Sequence, residues 1–167
     1  QVKGYDRLVD IAERILPQHP DWEWHVFGKG SLQEELRQKI QHKGLGKQLI
    51  LMGKSEKMLE QYCEYSIYAM TSYVEGLPLA LLEAKANQLP SVSFDILTGP
   101  SEIIEDGING YLVKDGDISG FAEKLDVLMG DELLRASFSK QAGQGIERFQ
   151  KEKILEQWKA LFDLMLM

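Results

Sequence analysis

The chain has 167 residues, 44% of them hydrophobic, which is about one domain's worth and enough for a single core. Its net charge of −7 and pI near 5.0 argue against the clustered basic surface of a nucleic-acid binder, while leaving room for a local phosphate site. Cys63 stands alone, so no internal disulfide forms and a reducing cytosol is the natural compartment; no apolar run reaches the roughly 18 residues of a membrane-spanning helix.

The first residue is not Met, no signal-peptide pattern is present, and helical periodicity begins almost at once, as expected of a piece of a longer protein. Leu8, Val9, Ala12, Ile15 and Leu16 place a helix over Asp6 to Leu16, ended by Pro17 and Pro20. Glu23 to Phe27 reads as a short strand closed by Gly28-Lys29-Gly30, after which Ser31 and Glu34 are spaced as a capping box for a helix reaching about His42. Gln48 to Met52 is the next strand, stopped at Gly53. A helix over about 56–64 is expected to carry Met58, Leu59, Tyr62 and Cys63 inward.

Ser66 to Met70 reads as a buried strand, and Leu77 to about Gln88 as a helix with Pro78 in its first turn. Pro90 separates that helix from a strand over Ser91 to Phe94. Thr98-Gly99-Pro100 is a turn, 101–105 a short helix, and Asp106-Gly107 and Asn109-Gly110 are turns into a strand over Tyr111 to Val113. Asp117 can cap a helix holding Phe121, Leu125 and Leu128, and helices over about 131–148 and from Lys151 onward close the chain. Strands alternating with helices predict an α/β fold: one doubly wound, Rossmann-like domain over residues 1–167, its parallel sheet covered on both faces.

The chemistry concentrates in Thr71 to Ala84. A strand, a tight polar loop and a helix point the helix N-terminus back at the strand's carboxyl end, where unpaired N–H groups and the dipole favour an anion. Gly76 lets a ligand approach the backbone, and Glu75 adds a carboxylate that can accept hydrogen bonds from hydroxyls. Glu83 lies five residues past Pro78, roughly 7 to 8 Å farther along the helix. An anionic ligand with a hydroxylated group at each end fits this layout. The bland alternative makes Glu75 a dipole partner and Glu83 part of a solvated face, but Leu81, Leu82 and Ala84 flank Glu83, and an unpaired carboxylate there would be costly.

The spacing Glu75-(seven residues)-Glu83, with Gly76 and Pro78 between and Ala84 after, resembles the E-x7-E motif of retaining glycosyltransferases of family 4, of the GT-B type. Lys3-Gly4 opening a helix, Gly28-Lys29-Gly30 after a strand, Gly99 to Ile104, and Asp106 to Val113 extend the resemblance over nearly the whole chain. The resemblance implies the C-terminal, donor-binding half of a GT-B fold. Its activity would be transfer of a sugar, with retention, from a nucleotide diphosphate sugar to an acceptor glycan or lipid-linked glycan in polysaccharide biosynthesis. The acceptor would be held by an N-terminal domain absent from this chain, and the isolated piece would not turn over. The compartment implied is the cytoplasm, peripheral to the inner face of the membrane.

Residue by residue, the resemblance assigns Lys3 to the donor diphosphate, Glu75 to the sugar hydroxyls and Glu83 to the ribose hydroxyls. Lys3 and Glu75 would be the catalytic pair. The backbone of Gly76, Leu77, Pro78 and Leu79 would cover the diphosphate, Gly28 would line the nucleotide end of the cleft, and Gly53 and Lys54 would lie beside the base. No cofactor or metal is implied, because Lys3 and the helix end would stabilise charge growing on the leaving diphosphate. Two departures stand out. The arginine that the family carries shortly before the lysine would fall ahead of Gln1, and Leu77 stands where many members have Phe.

Other tempting motifs have plainer readings. Gly28-Lys29-Gly30 lacks the third glycine of a dinucleotide fingerprint, and Glu34 and Glu35 crowd the next turn. Asp115-Gly116-Asp117 resembles the D-x-D of another glycosyltransferase class, but a turn plus a helix cap explains both aspartates, and two carboxylates are too few for a divalent-ion site. His19, His25 and His42 form no ligand set.

The alternatives are a binding domain for a phosphorylated ligand, and a GT-B relative that isomerises or hydrolyses sugar nucleotides. In the family the sheet has six strands in the order 3-2-1-4-5-6, and the central first strand would precede Gln1. The five remaining strands are expected to close up, 23–27 pairing with 67–70 in the order 2-1-3-4-5, or to receive a strand from a partner chain.

Overall fold

The computed structural model describes residues 2–166. Five short runs rich in β-branched, aromatic and aliphatic residues form strands: β1 (Trp24–Phe27), β2 (Leu49–Gly53), β3 (Tyr68–Met70), β4 (Ser91–Asp95) and β5 (Gly110–Lys114). They alternate with α1 (Tyr5–Ile15), α2 (Gln33–His42), α3 (Met58–Gln61), α4 (Leu79–Ala86), α5 (Pro100–Ile103), α6 (Ile118–Gly130), α7 (Glu132–Ala142) and α8 (Lys151–Met165). Every strand pair is parallel, so the α/β class and the Rossmann-like alternation are as the sequence predicts. In β4, Ser91, Val92, Ser93 and Phe94 are all buried, as suits a strand covered on both faces, and the two serine hydroxyls donate to Leu89 O and Phe94 O.

The expected strand order is not what forms. β1 pairs with β2, and β3, β4 and β5 form a second sheet in that order; β1 and β3 share no ladder. A cavity of about 560 Å³ lies between them, lined by Trp24 to Phe27 on one side and Ile67 to Met70 on the other. The physical reason is α1, which buries Leu8, Val9, Ile11, Ala12 and Ile15 in the main core together with Val92, Phe94, Phe121 and Leu125. Its leading residues are tied to the end of β3, where Tyr73 N donates to Val2 O and Thr71 Oγ1 to Lys3 O. Tyr5 and Leu8 meanwhile line the cavity. Closing the sheet would require displacing that helix and its buried face, an apolar loss of about 1.5–3 kcal/mol per large side chain.

Several local expectations are also corrected. Ser31 does not cap α2, which begins at Gln33 without a side-chain cap, while Glu34 is taken by Arg37 and Gln38. The helix expected over 56–64 is one turn of α3 followed by a 3-10 turn, Tyr62–Glu64; Tyr62 is buried, but Leu59 and Cys63 are exposed, so Cys63 is not a core residue. Pro78 takes the N-cap place of α4 rather than a position inside it. The helix expected over 131–148 stops at Ala142, because Gly143 and a left-handed Gly145 (φ +76°) break it ahead of a 3-10 turn, Ile146–Phe149.

Arg7 and Lys85 are buried cations. The Arg7 guanidinium lies 3.5 Å from the centre of the Tyr73 ring and donates to Asp115 Oδ1 at 2.7 Å. The Lys85 amine has no hydrogen-bond partner among the described residues, and burial, only partly offset by Glu105, lowers its pKa to about 8. Among the described residues no helix is long and apolar enough to cross a membrane.

Candidate functional site

β3 ends at buried Met70, and buried Thr71 and Ser72 carry the chain into the polar loop that leads to α4. Pro78, non-helical at ψ 89°, precedes the helix, and no side chain caps it, so the loop faces a helix start whose leading N–H groups have no intrahelical partners. Loop position is enforced from outside. Thr98 Oγ1 donates to Glu75 O at 2.5 Å, and Gly99 lies so close to Pro78 that a Cβ built on it would come within 2.5 Å of Pro78 Cδ. Gly99 also has φ +100°, a conformation that favours glycine.

Glu75 faces the amino-terminal segment. Its Oε1 accepts from Ser72 Oγ at 2.6 Å and from Lys3 Nζ at 2.7 Å. Lys3 reaches it because Gly4, left-handed at φ +64°, packs on the Thr71 carbonyl, where a Cβ would collide with the oxygen. The proposed diphosphate cation and sugar carboxylate are thus neighbours although 72 residues separate them.

Glu83 stands about one turn into α4, on the same wall. Its Oε2 accepts from the hydroxyl of Tyr62 at 3.1 Å, and its backbone carbonyl accepts from Asn87 Nδ2. Burial first, then the nearby Glu83 carboxylate, pushes the Tyr62 phenol well above its ordinary pKa, so it is a hydrogen-bond donor at neutral pH. Tyr68 is shifted up by burial first and then by Tyr62, Glu75 and Glu83. Lys3, Ser72, Glu75, Leu77, Pro78, Leu79 and Glu83 all line the 560 Å³ cavity.

The remaining predicted positions are spread differently. Gly28 donates its N–H to Gly53 O and lines a second cavity of about 500 Å³ with Lys29, Gly30 and Lys39, which shares Lys3 and Tyr5 with the first. Gly53, Lys54 and Gly76 are not among the residues lining either cavity. A Cβ on Gly76 would meet nothing within 4 Å, so sterics do not demand glycine there.

From sequence, Tyr62 is expected only to pack inward and Thr98-Gly99 only to form a turn; the bonds that Tyr62, Ser72 and Thr98 make in the site, and the packing of Gly99, are not foreseen. Only the three-residue step from Ser72 to Glu75 carried a local signal; the other pairs lie about 20 residues apart. Asp117 caps α6 by accepting from Gly120 N at 2.9 Å, as expected, whereas Asp115 serves Arg7. His19 pairs with Asp126, and His25 bonds Tyr65 and Glu23.

Residues 1–145 match the family described as Glycosyl transferases group 1. The chain is 40% identical over 161 residues to the exopolysaccharide phosphotransferase SCO2592 of Streptomyces coelicolor, a match covering 96% of this chain and 17% of that protein. It superposes with TM-score 0.92 and 32% identity on a mutant of S. aureus TarM solved with fondaparinux, alpha-GlcNAc-glycerol and UDP, covering 97% of this chain and 33% of that one. It also superposes with TM-score 0.79 and 32% identity on the C-terminal domain of a glycosyl transferase group 1 family protein (LpcC) from Francisella tularensis, covering 92% and 81%. The chain thus spans less than half the length of the curated relatives it matches, 17% of SCO2592 and 33% of the TarM chain. It belongs to the Glycosyl transferases group 1 family and has the α/β, Rossmann-like fold of the C-terminal part of a GT-B glycosyltransferase.

Proposed function

We propose that the chain is the donor-binding domain of a retaining, family 4 glycosyltransferase that takes a sugar from a nucleotide diphosphate sugar. The observation that carries this reading is the grouping of Lys3, Glu75 and the uncapped start of α4 at one end of a cavity, with Glu83 farther along the same wall. A sugar nucleotide has two negative phosphates between two hydroxylated groups. Lys3 and the start of α4 would hold the phosphates, Glu75 the sugar hydroxyls and Glu83 the ribose.

As the glycosidic bond to the diphosphate breaks, negative charge builds on the leaving oxygens. Lys3 and the helix dipole stabilise that charge without reorganising, so no metal is needed. Transfer to a glycan or lipid-linked acceptor calls for a second domain to hold the acceptor. Alone, this chain binds donor without turnover, because the orientation that gives an intramolecular reaction its advantage is missing.

Calorimetry with pyrophosphate, several nucleoside diphosphates and several sugar nucleotides tests the reading. Binding of at least one nucleoside diphosphate, unchanged by chelator, is the expected result. No binding of any of them, or a strict magnesium requirement, overturns it.

A further inference from the structure

Tyr62 is only 4% exposed, and its ring is held at a tilt against Tyr68, 6.4 Å between centroids, in a small apolar cluster with Ala84 and Leu89. The rigid ring delivers one hydroxyl between Glu83 Oε2 at 3.1 Å and Ala80 O at 3.3 Å. A phenol has a single proton to donate, and the ionised carboxylate is the stronger acceptor. That bond occupies Oε2. Glu83 Oε1 accepts no hydrogen bond among the described residues, and Glu83 lines the cavity.

A glutamate on a helix has several side-chain torsions free to turn, and locking one oxygen against a buried donor removes most of that freedom. We propose that Tyr62 is a positioning residue: it fixes the Glu83 carboxylate with Oε1 presented to the cavity, so that the site selects a nucleotide carrying ribose hydroxyls over one lacking them. The proposal rests on the ribose reading of Glu83 given above. A site built to accept a hydroxyl rejects the analogue lacking it, and that rejection is sharp only when the acceptor is held in place.

The test is calorimetry on the 167-residue chain with a ribonucleoside diphosphate, its 2′,3′-dideoxy analogue and pyrophosphate, for the unaltered chain, Tyr62→Phe and Glu83→Gln. The unaltered chain should prefer the ribonucleotide. Tyr62→Phe, which keeps the ring, should lower that preference about tenfold with pyrophosphate affinity unchanged. Should the Phe variant not fold, Tyr62→Met reports the same loss. If Tyr62→Phe keeps the ribose preference while Glu83→Gln loses it, Tyr62 is a packing residue only and the proposal falls. If Glu83→Gln also keeps it, the ribose reading of Glu83 falls, and the proposal with it.

Discussion

The ammonium of Lys3 lies 2.7 Å from Oε1 of Glu75, which joins the start of the chain to the loop ahead of α4 and, on the proposed reading, places opposite charges where a diphosphate and a sugar would meet. Lys3 is 59% exposed and Glu75 only 12%, so the pair is solvent-screened on one side and adds little to stability, less than about 1 kcal/mol. Its consequence is for binding. On that reading an incoming diphosphate would compete with Glu75 for the same cation.

Glu75→Gln should therefore raise the affinity for pyrophosphate about threefold, since Lys3 is released and one negative charge removed. The same change should abolish any advantage of a sugar nucleotide over its nucleoside diphosphate. Calorimetry with the three ligands decides the matter, and weaker pyrophosphate binding by the variant would count against the competition.

Lys3→Met should weaken pyrophosphate and nucleoside diphosphate alike, by about tenfold, because the lost contact is to the phosphates that both share. The loss should shrink as salt rises, since the cation is exposed. A loss confined to the nucleoside ligand would move Lys3 away from the diphosphate.

Gly4→Ala and Gly99→Ala should each destabilise the chain by at least about 2 kcal/mol in urea unfolding, combining a left-handed or otherwise disfavoured φ with a Cβ driven into Thr71 O or Pro78. Gly76→Ala, with open space around it, should change stability by no more than about 0.5–1 kcal/mol. Equal costs at the three positions would mean that the loop is not held as described.

Lys85 gives the chain a defined pH response. Its amine is depressed to about 8 by burial from an ordinary 10.5, so between those values the unfolded chain binds more protons and native stability rises with pH. Below that window the full cost of the buried charge applies. Lys85→Met should stabilise the chain at pH 7 by on the order of 2 kcal/mol, and the gain should fade toward pH 10.5. A gain that stays constant across the window would show that the amine is not depressed.

The two facing strand edges should be the most labile part of the sheet. Amides of β1 and β3 that point into the cavity should exchange at least about tenfold faster than those of β4, which is paired on both sides. About five apolar residues joined ahead of residue 1 should slow that exchange by laying a parallel strand in the slot, whereas a Pro-interrupted version, which lacks donors, should not. Uniform protection of β1, β3 and β4 in the unextended chain would contradict the split sheet.

What the sequence by itself determined is everything encoded over a few neighbouring residues. The alternation of apolar runs with helical periodicity defined five strands and most helices to within a residue or two. Asp117 announced its cap, and the step from Glu75 to Glu83 put both carboxylates on one loop-and-helix wall. Each of these depends on period, turn chemistry or capping, which act within one or two turns. Tertiary structure alone decided the partners: Lys3 with Glu75, Tyr62 with Glu83, Arg7 with Asp115, and β1 parted from β3. Those pairings are 72, 21 and 108 residues apart, and no local pattern carries them. The position of α1 made the choice for the sheet, because burying its apolar face against the core outweighs two strands' worth of edge hydrogen bonds, whose net value is only about 0.5–1.5 kcal/mol each.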